Sequence, residues 1–262
     1  MTWSARQYTA FEDERTRPVR DLLAVVPDIK ARSVIDLGCG PGNSTEVLAA
    51  RFPDAAIQGL DSSSDMIVAA RRRLPQVQFA ISGIEEWQDA GHFGVGPFDV
   101  ILANAVMQWV PDHARVLPAL VSKLSPGGAL AVQMPDNLDV PAHRLMRETA
   151  AAGRWAPLLA AAAASRTAIG SASDYYDILR PMCGNVDVWR TTYHHPLAGG
   201  AAAIVEWFKG SGLRPFLEPL DAASRAAYLE HYTAAVARAY PASPDGAVLL
   251  PFPRLFVVAI RE

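Results

Sequence analysis

The chain has 262 residues, 50% of them hydrophobic and 19% charged, with a formal net charge of −3. That size suits one α/β domain around a real core rather than a train of modules. The slight acidic excess argues against nucleic acid or an anionic membrane as a bulk partner. Cys39 and Cys183 fit neither a disulfide framework nor a zinc spacing. No basic-then-apolar leader and no apolar run near eighteen residues is present, so a cytoplasmic protein, monomeric or weakly dimeric, is expected.

Residues 1–30 read as a polar opening with Trp3, Tyr8 and Phe11, then a helix, because Val19, Leu22, Leu23 and Val26 share one helical face. Pro18 is tolerated in its first turn and Pro27 ends it. Ser33 to Leu37 is a short apolar strand, and Asn43 to Ala50 a helix. Ala56 to Leu60 is the second strand, after which Ser62 and Ser63 offer caps for a helix ending near Leu74. Val77 to Ile81, Phe98 to Ala103 and Ala129 to Met134 are further strands, the last entered through Pro126-Gly127-Gly128. Alternating strands and helices imply right-handed crossovers and a parallel sheet covered on both faces.

After Pro135 the rhythm changes. Residues 136–184 read as helix and loop, Val186 to Tyr193 as a strand, Ala201 to Lys209 and Arg225 to Tyr240 as helices, and Leu255 to Ile260 as a last strand. In the longer helix Tyr228, Tyr232, Val236 and Tyr240 recur every four residues. The expected design is one domain, a doubly wound, mostly parallel, seven-stranded sheet. Residues 31–135 form its ligand-binding half, 136–184 and 199–245 are helical insertions over the carboxyl edge, and 185–195 and 253–261 complete the sheet.

Between the first strand and its helix lies Asp36-Leu37-Gly38-Cys39-Gly40-Pro41-Gly42. Glycines there permit a sharp turn and let a ligand touch the backbone. A dinucleotide site would carry G-x-G-x-x-G and a pyrophosphate on the helix terminus, but the third position after Gly40 is Asn43. An acid at position 36 repels a pyrophosphate and suits the ammonium of a methionine moiety. Asp61, about twenty residues beyond the turn, stands where a carboxylate accepts from both ribose hydroxyls; the bland alternative is a helix cap. Other signals are weaker. His194 and His195 alternate across a strand and would not share a metal, and His143 with Glu148 lacks the His-Glu-x-x-His spacing of a zinc helix. No metal site is expected.

The turn with Asp61 resembles the class I S-adenosylmethionine-dependent methyltransferase family. The resemblance implies S-adenosylmethionine as cofactor, held by Asp36, Gly38, Gly40, Gly42, Asn43, Asp61 and Ser62. It also implies adenine near Met66, Gly83 and Ile84, and the methionine end by Asn104. An acid that the family places after the third strand is here Ser82-Gly83-Ile84, so Glu85 or Glu86 would have to replace it. Trp3, Tyr8 and Arg17 are candidates for a lid, with a helix packed at the sheet edge as the alternative.

Later segments narrow the acceptor. Asn104 to His113, Val132 to Asn137, Val188 to Tyr193, Gly212 to Pro215 and Phe252 to Phe256 resemble those of bacterial methyltransferases that esterify trans-aconitate. That implies methyl-ester formation on a small tricarboxylate. No general base is needed, because a carboxylate is already ionised at neutral pH. Gln108 and Trp109 are expected beside the transferred methyl. A trianion needs cations, and all the basic residues except Lys30, Lys123 and Lys209 are arginine. The arginine excess has a bland reading as coding bias. Arg144, Arg147, Arg190, Arg214 and Arg254 are the candidate cations, with Trp109, His113, Tyr175, Tyr176 and Tyr193 shaping the pocket. Transfer to another small acceptor, and a non-catalytic cofactor-binding module, remain as alternatives.

Overall fold

A computed structural model describes residues 12–90, 96–164 and 168–262. Helix α1 (Glu12–Val25) buries Val19, Leu22 and Leu23, the stripe its spacing predicts, and packs against the second helix and the fifth strand. Strands β1 (Ser33–Leu37), β2 (Ala56–Asp61), β3 (Gln78–Ile81) and β4 (Phe98–Asn104) alternate with helices α2 (Asn43–Arg51), α3 (Ser64–Arg73) and α4 (Ile84–Ala90). A 3-10 turn (Met107–Trp109) and α5 (His113–Ser122) lead to β5 (Leu124–Pro135). Then come α6 (Pro141–Ala152), α7 (Ala156–Ala164), α8 (Ala172–Leu179), β6 (Cys183–Leu197), α9 (Ala201–Lys209), α10 (Arg214–Leu217), α11 (Ala222–Ala239) and β7 (Val248–Arg261).

The seven strands lie in the order β3-β2-β1-β4-β5-β7-β6, with β1 parallel to β2 and β4, β2 to β3, and β4 to β5. The order reverses at β1, so the turn after β1 opens at the switch point where such sheets take ligands. Central strands are apolar on both faces: Val100, Ile101, Leu102 and Ala103 of β4 and Leu130, Ala131 and Val132 of β5 are all buried. Each larger side chain removed from water there contributes about 1.5–3 kcal/mol.

Three strands run longer than the sequence suggests. On β5 the pairing passes from Phe98↔Leu124 to Val100↔Ala129, so Pro126-Gly127-Gly128 is a bulge inside the strand rather than the turn before it. Strands β6 and β7 extend beyond their hydrophobic segments at both ends.

The chain separates into two compact units, one of residues 1–135, 169–191 and 255–262, the other of 136–168 and 192–254. Residues 169–184, expected among the helical insertions, thus belong with the sheet unit. In the second unit the tyrosine stripe of α11 has a definite task. Tyr228 and Tyr232 hydroxyls donate to the Met146 and Ala142 carbonyls of α6, at 2.9 and 3.1 Å, and the Tyr240 hydroxyl accepts the Ala142 N–H at 3.0 Å. The rings bury apolar area while their polar tips tie one helix to another.

Candidate functional site

At the carboxyl end of β1, Gly38, Gly40 and Gly42 all have positive φ. A Cβ on Gly38 would stand 2.4 Å from the Val106 Cγ2, whereas one on Gly40 would meet nothing within 4 Å. Gly38 is therefore required by packing, and Gly40 leaves an open face of backbone. Asp61 holds the turn from the side: its Oδ2 accepts the Gly40 N–H at 3.0 Å and its Oδ1 the Ser63 N–H at 2.8 Å. Burial pushes the Asp61 carboxyl up, and these two N–H groups pull it partly back. Ser63 is the N-cap residue of α3 but its side chain makes no capping bond. The expected serine cap is thus replaced by the Asp61 carboxylate bonding the backbone there.

Asp36 is fully buried, and the Ser44 and Thr45 hydroxyls of α2 both donate to its Oδ2 at 2.7 Å. Its Oδ1 has no partner. Burial pushes the carboxyl up to about 7 against the pull of the two hydroxyls, and the neighbouring Asp61 charge adds to the rise. The Asn104 Oδ1 is likewise buried without a partner, and the β1–β4 register, Leu37↔Ala103, sets Asn104 beside the start of the turn. Two desolvated acceptors lacking donors favour a cationic donor group. A pyrophosphate would bring only more acceptors.

Beyond β4 the chain turns sharply through Ala105, whose φ of 55° is a left-handed conformation that costs a non-glycine residue about 1–3 kcal/mol. This turn brings Val106 against Gly38. A cavity of about 240 Å³ opens here, lined by Gly38, Leu60, Asp61, Ser62, Ser82, Gly83, Ile84, Glu85, Glu86, Val106, Trp109 and Val110. The structure thus gathers Gly38, Asp61, Ser62, Gly83, Ile84 and Trp109 from the sequence candidates. It adds Leu60, Ser82, Val106 and Val110, and Val106 could have been found only from the steric demand at Gly38. The Gly83 N–H donates to Glu86 Oε2 at 3.3 Å, and Glu85 pairs with Arg115 at 3.0 Å. Both glutamates on the cavity wall are therefore engaged by protein.

Other described cofactor candidates do not line this cavity. Gly42 packs against Ala70 of α3, and Asn43 and Met66 are buried. Gln108 donates through Nε2 to the Ala105 carbonyl at 2.7 Å while its buried Oε1 has no partner. Arg17 is an exposed residue of α1, 3.8 Å from Asp21. Trp3 and Tyr8 lie outside the described residues.

The substrate candidates divide by environment. In the sheet unit Tyr175 is buried, and its hydroxyl contacts His113 Nδ1 at 2.8 Å and accepts the Gly170 N–H at 3.1 Å. His113 and Tyr175 therefore satisfy each other. Tyr176 and Arg190 are exposed. In the second unit Arg144 is a surface partner of Glu148 at 3.3 Å, Arg147 donates to the Leu138 carbonyl at 2.9 Å, and Arg214 pairs with Glu218 at 3.0 Å. Arg254 differs from all of them: it is 4% exposed, and its guanidinium lies 4.6 Å from the Phe252 ring centre and 6.0 Å from that of Tyr193. A larger groove of about 630 Å³ in the second unit is lined by Leu145, Trp155, Ala227, His231 and neighbours, and by none of the sequence's cofactor or substrate candidates. Among the described residues no cluster of metal-ligating side chains occurs, and no helix is long and apolar enough to cross a membrane.

Comparison with known proteins accords with this geometry. Residues 10–179 match the model of a methyltransferase domain family. The chain is 58% identical over 259 residues to a trans-aconitate 2-methyltransferase of Methylobacterium nodulans, covering 99% of this chain and 98% of that one. It is 56% identical to one from Rhodopseudomonas palustris, covering 99% of each. Among solved structures, the YcgJ protein of Bacillus subtilis superposes with a TM-score of 0.59 at 11% identity, covering 94% of this chain and 98% of its own. A Haemonchus contortus phosphoethanolamine N-methyltransferase 2 in complex with S-adenosylhomocysteine gives 0.56 at 14% identity, over 94% of this chain and 52% of that one. At such identities these two likenesses speak for the fold alone.

Proposed function

Because this chain belongs to the trans-aconitate 2-methyltransferase family, we propose that it transfers a methyl group from S-adenosylmethionine to one carboxylate of trans-aconitate, giving a monomethyl ester. The observation that carries the reading is the pair of buried acceptors without donors, Asp36 Oδ1 and Asn104 Oδ1, beside an open glycine turn. They suit the ammonium of a methionine moiety. Asp61 lies on the cavity wall with its carboxylate at the turn, and we assign it to a ribose hydroxyl. Glu85 and Glu86 are already bonded to Arg115 and Gly83, so we assign the adenine to packing at Ile84.

When bound, S-adenosylmethionine supplies an electrophilic methyl on a positively charged sulfur. The protein's own contribution is positioning, and good alignment of two reactants is worth about 7–11 kcal/mol of barrier. Trp109, Val106 and Val110 present apolar surface to the cavity, which keeps water from the reacting groups. Attack by a carboxylate neutralises two opposite charges, so exclusion of water favours it. The acceptor is ionised at neutral pH, so no side chain has to remove a proton. Arg254 and Tyr193, with Arg147, Arg190 and Arg214, are the groups we assign to the remaining carboxylates. Tyr176 is an exposed candidate at the same task.

The test is transfer of labelled methyl from S-adenosylmethionine to a panel of di- and tricarboxylates, with the ester position read by NMR. Turnover on trans-aconitate above the other acids supports the reading. Binding of S-adenosylhomocysteine without transfer to any acid would leave the cofactor site standing and remove the acceptor.

A further inference from the structure

His113, read from the sequence as a substrate ligand, has both ring nitrogens engaged by protein. Nε2 lies 2.8 Å from the Met107 carbonyl oxygen, and Nδ1 lies 2.8 Å from the Tyr175 hydroxyl. A carbonyl only accepts, so Nε2 carries the proton. Nδ1 shares a hydrogen bond with the Tyr175 hydroxyl, which also accepts the Gly170 N–H and reaches the Met134 Sδ at 3.8 Å. Tyr175 is fixed in turn by α8, whose start is closed by a reciprocal capping box between Ser171 and Asp174. The chain of bonds runs from a rigid helix, through a buried phenol and an imidazole, to one backbone carbonyl. That carbonyl is not an arbitrary one. The Met107 oxygen also accepts the Val110 N–H at 2.9 Å, closing the 3-10 turn. Three residues of this short segment, Val106, Trp109 and Val110, line the cavity assigned above to the methyl donor. The segment starts from the left-handed Ala105, so its conformation is strained and needs an external restraint.

We infer that His113 is a positioning residue: clamped by Tyr175, its Nε2–H holds the Met107 carbonyl and so sets the Val106–Val110 wall against the cofactor. It touches neither cofactor nor acid. The inference rests on the functional reading for its effect on turnover, but the clamp itself is readable without it.

The experiment compares full-length His113→Ala, His113→Gln, His113→Asn and Tyr175→Phe. Glutamine places its amide nitrogen near the Nε2 position and can keep the Met107 bond. Asparagine reaches only the Nδ1 position and cannot. Hydrogen exchange at the Trp109 and Val110 amides should quicken about tenfold in the alanine and asparagine variants, the worth of one hydrogen bond, and stay near wild type in glutamine. S-adenosylhomocysteine affinity and kcat should follow the same order, while KM for trans-aconitate stays within about twofold, because no contact made to the acid changes. Tyr175→Phe should fall between alanine and wild type. A raised KM at unchanged kcat would make His113 a substrate ligand and overturn the inference. Equal losses in glutamine and asparagine, or unchanged amide exchange in alanine, would overturn it as well. If wild type transfers no methyl, the functional reading fails, and the exchange pattern still decides the clamp.

Discussion

The Asp61 carboxylate bonds the Gly40 N–H with one oxygen and the Ser63 N–H with the other. The residue we assign to a ribose hydroxyl is thereby also the tie between the glycine turn and the head of α3. Asp61→Asn keeps a single acceptor and must present an NH2 to a backbone N–H, so it should cost more than the loss of one ribose contact. Affinity for S-adenosylhomocysteine should drop by about 1.5–3 kcal/mol, as for a hydrogen bond to a charged group, and the melting temperature should fall as well. Calorimetric titration and a thermal melt on the same sample check both. An affinity loss with no thermal change would show that the carboxylate serves the ligand alone.

Two glycines two residues apart should respond to alanine differently. Gly38→Ala forces a Cβ within 2.4 Å of Val106 at a φ of 66°, so it combines a clash with strain. Gly40→Ala meets only the strain of its left-handed φ, about 1 kcal/mol, because nothing stands near the added methyl. Gly38→Ala should therefore lower stability more than Gly40→Ala. Adding Val106→Gly to Gly38→Ala should restore part of the loss, the steric part. Gly40→Ala should leave a folded protein whose affinity for S-adenosylhomocysteine is reduced, since its methyl projects into open space at the turn. Equal melting temperatures for the two single variants would contradict this division.

These cases mark what was legible in the sequence. Short continuous apolar runs and period-3.6 patterning located the strands and helices because the sheet is buried on both faces and α1 shows a clean stripe. The glycine turn and Asp61 were legible because a sharp turn and a carboxylate at a strand end have few alternative uses. Val106 was not, since its role follows from a close approach across two strands. The bond between His113 and Tyr175 was not legible for a related reason: the two residues lie 62 positions apart, and only the fold brings them together. The bulge at Pro126-Gly127-Gly128 has the composition of a turn, and only the pairing with β4 shows that the strand passes through it.

Asp36 makes binding and folding depend on pH. Its folded carboxyl sits at about 7, raised first by burial, against an unfolded value of about 3.9. The folded protein therefore holds a proton that the unfolded chain has released. Stability contributed by this group is full below about pH 4 and is lost as pH rises towards about 7, by up to about 4 kcal/mol, and then levels off. A cationic ammonium favours the ionised form, so affinity for S-adenosylhomocysteine should rise with pH up to about 7, at most tenfold per unit, with proton release. Urea unfolding from about pH 5 to 8 checks the first slope, and titration in buffers of different ionisation enthalpy checks the second. Asp36→Asn should flatten both. A slope of unfolding free energy that survives in Asp36→Asn would assign it to another group.

Arg254 and Arg144 offer the sharpest contrast among the arginines. Arg144 meets Glu148 at 3.3 Å with both side chains more than half exposed, and such a pair is worth about 0–1 kcal/mol. Arg144→Ala should leave KM for trans-aconitate within about twofold of wild type. Arg254 is buried with its planar group over Phe252 and near Tyr193, an arrangement that lysine cannot copy because an ammonium neither stacks nor forks. Arg254→Lys should raise KM about tenfold or more while affinity for S-adenosylhomocysteine is unchanged, if its guanidinium receives a carboxylate. It should also lower the melting temperature, since the aromatic contacts lose their partner. A lowered melting temperature with KM untouched would confine Arg254 to packing and shift the anion site to Arg147, Arg190 or Arg214.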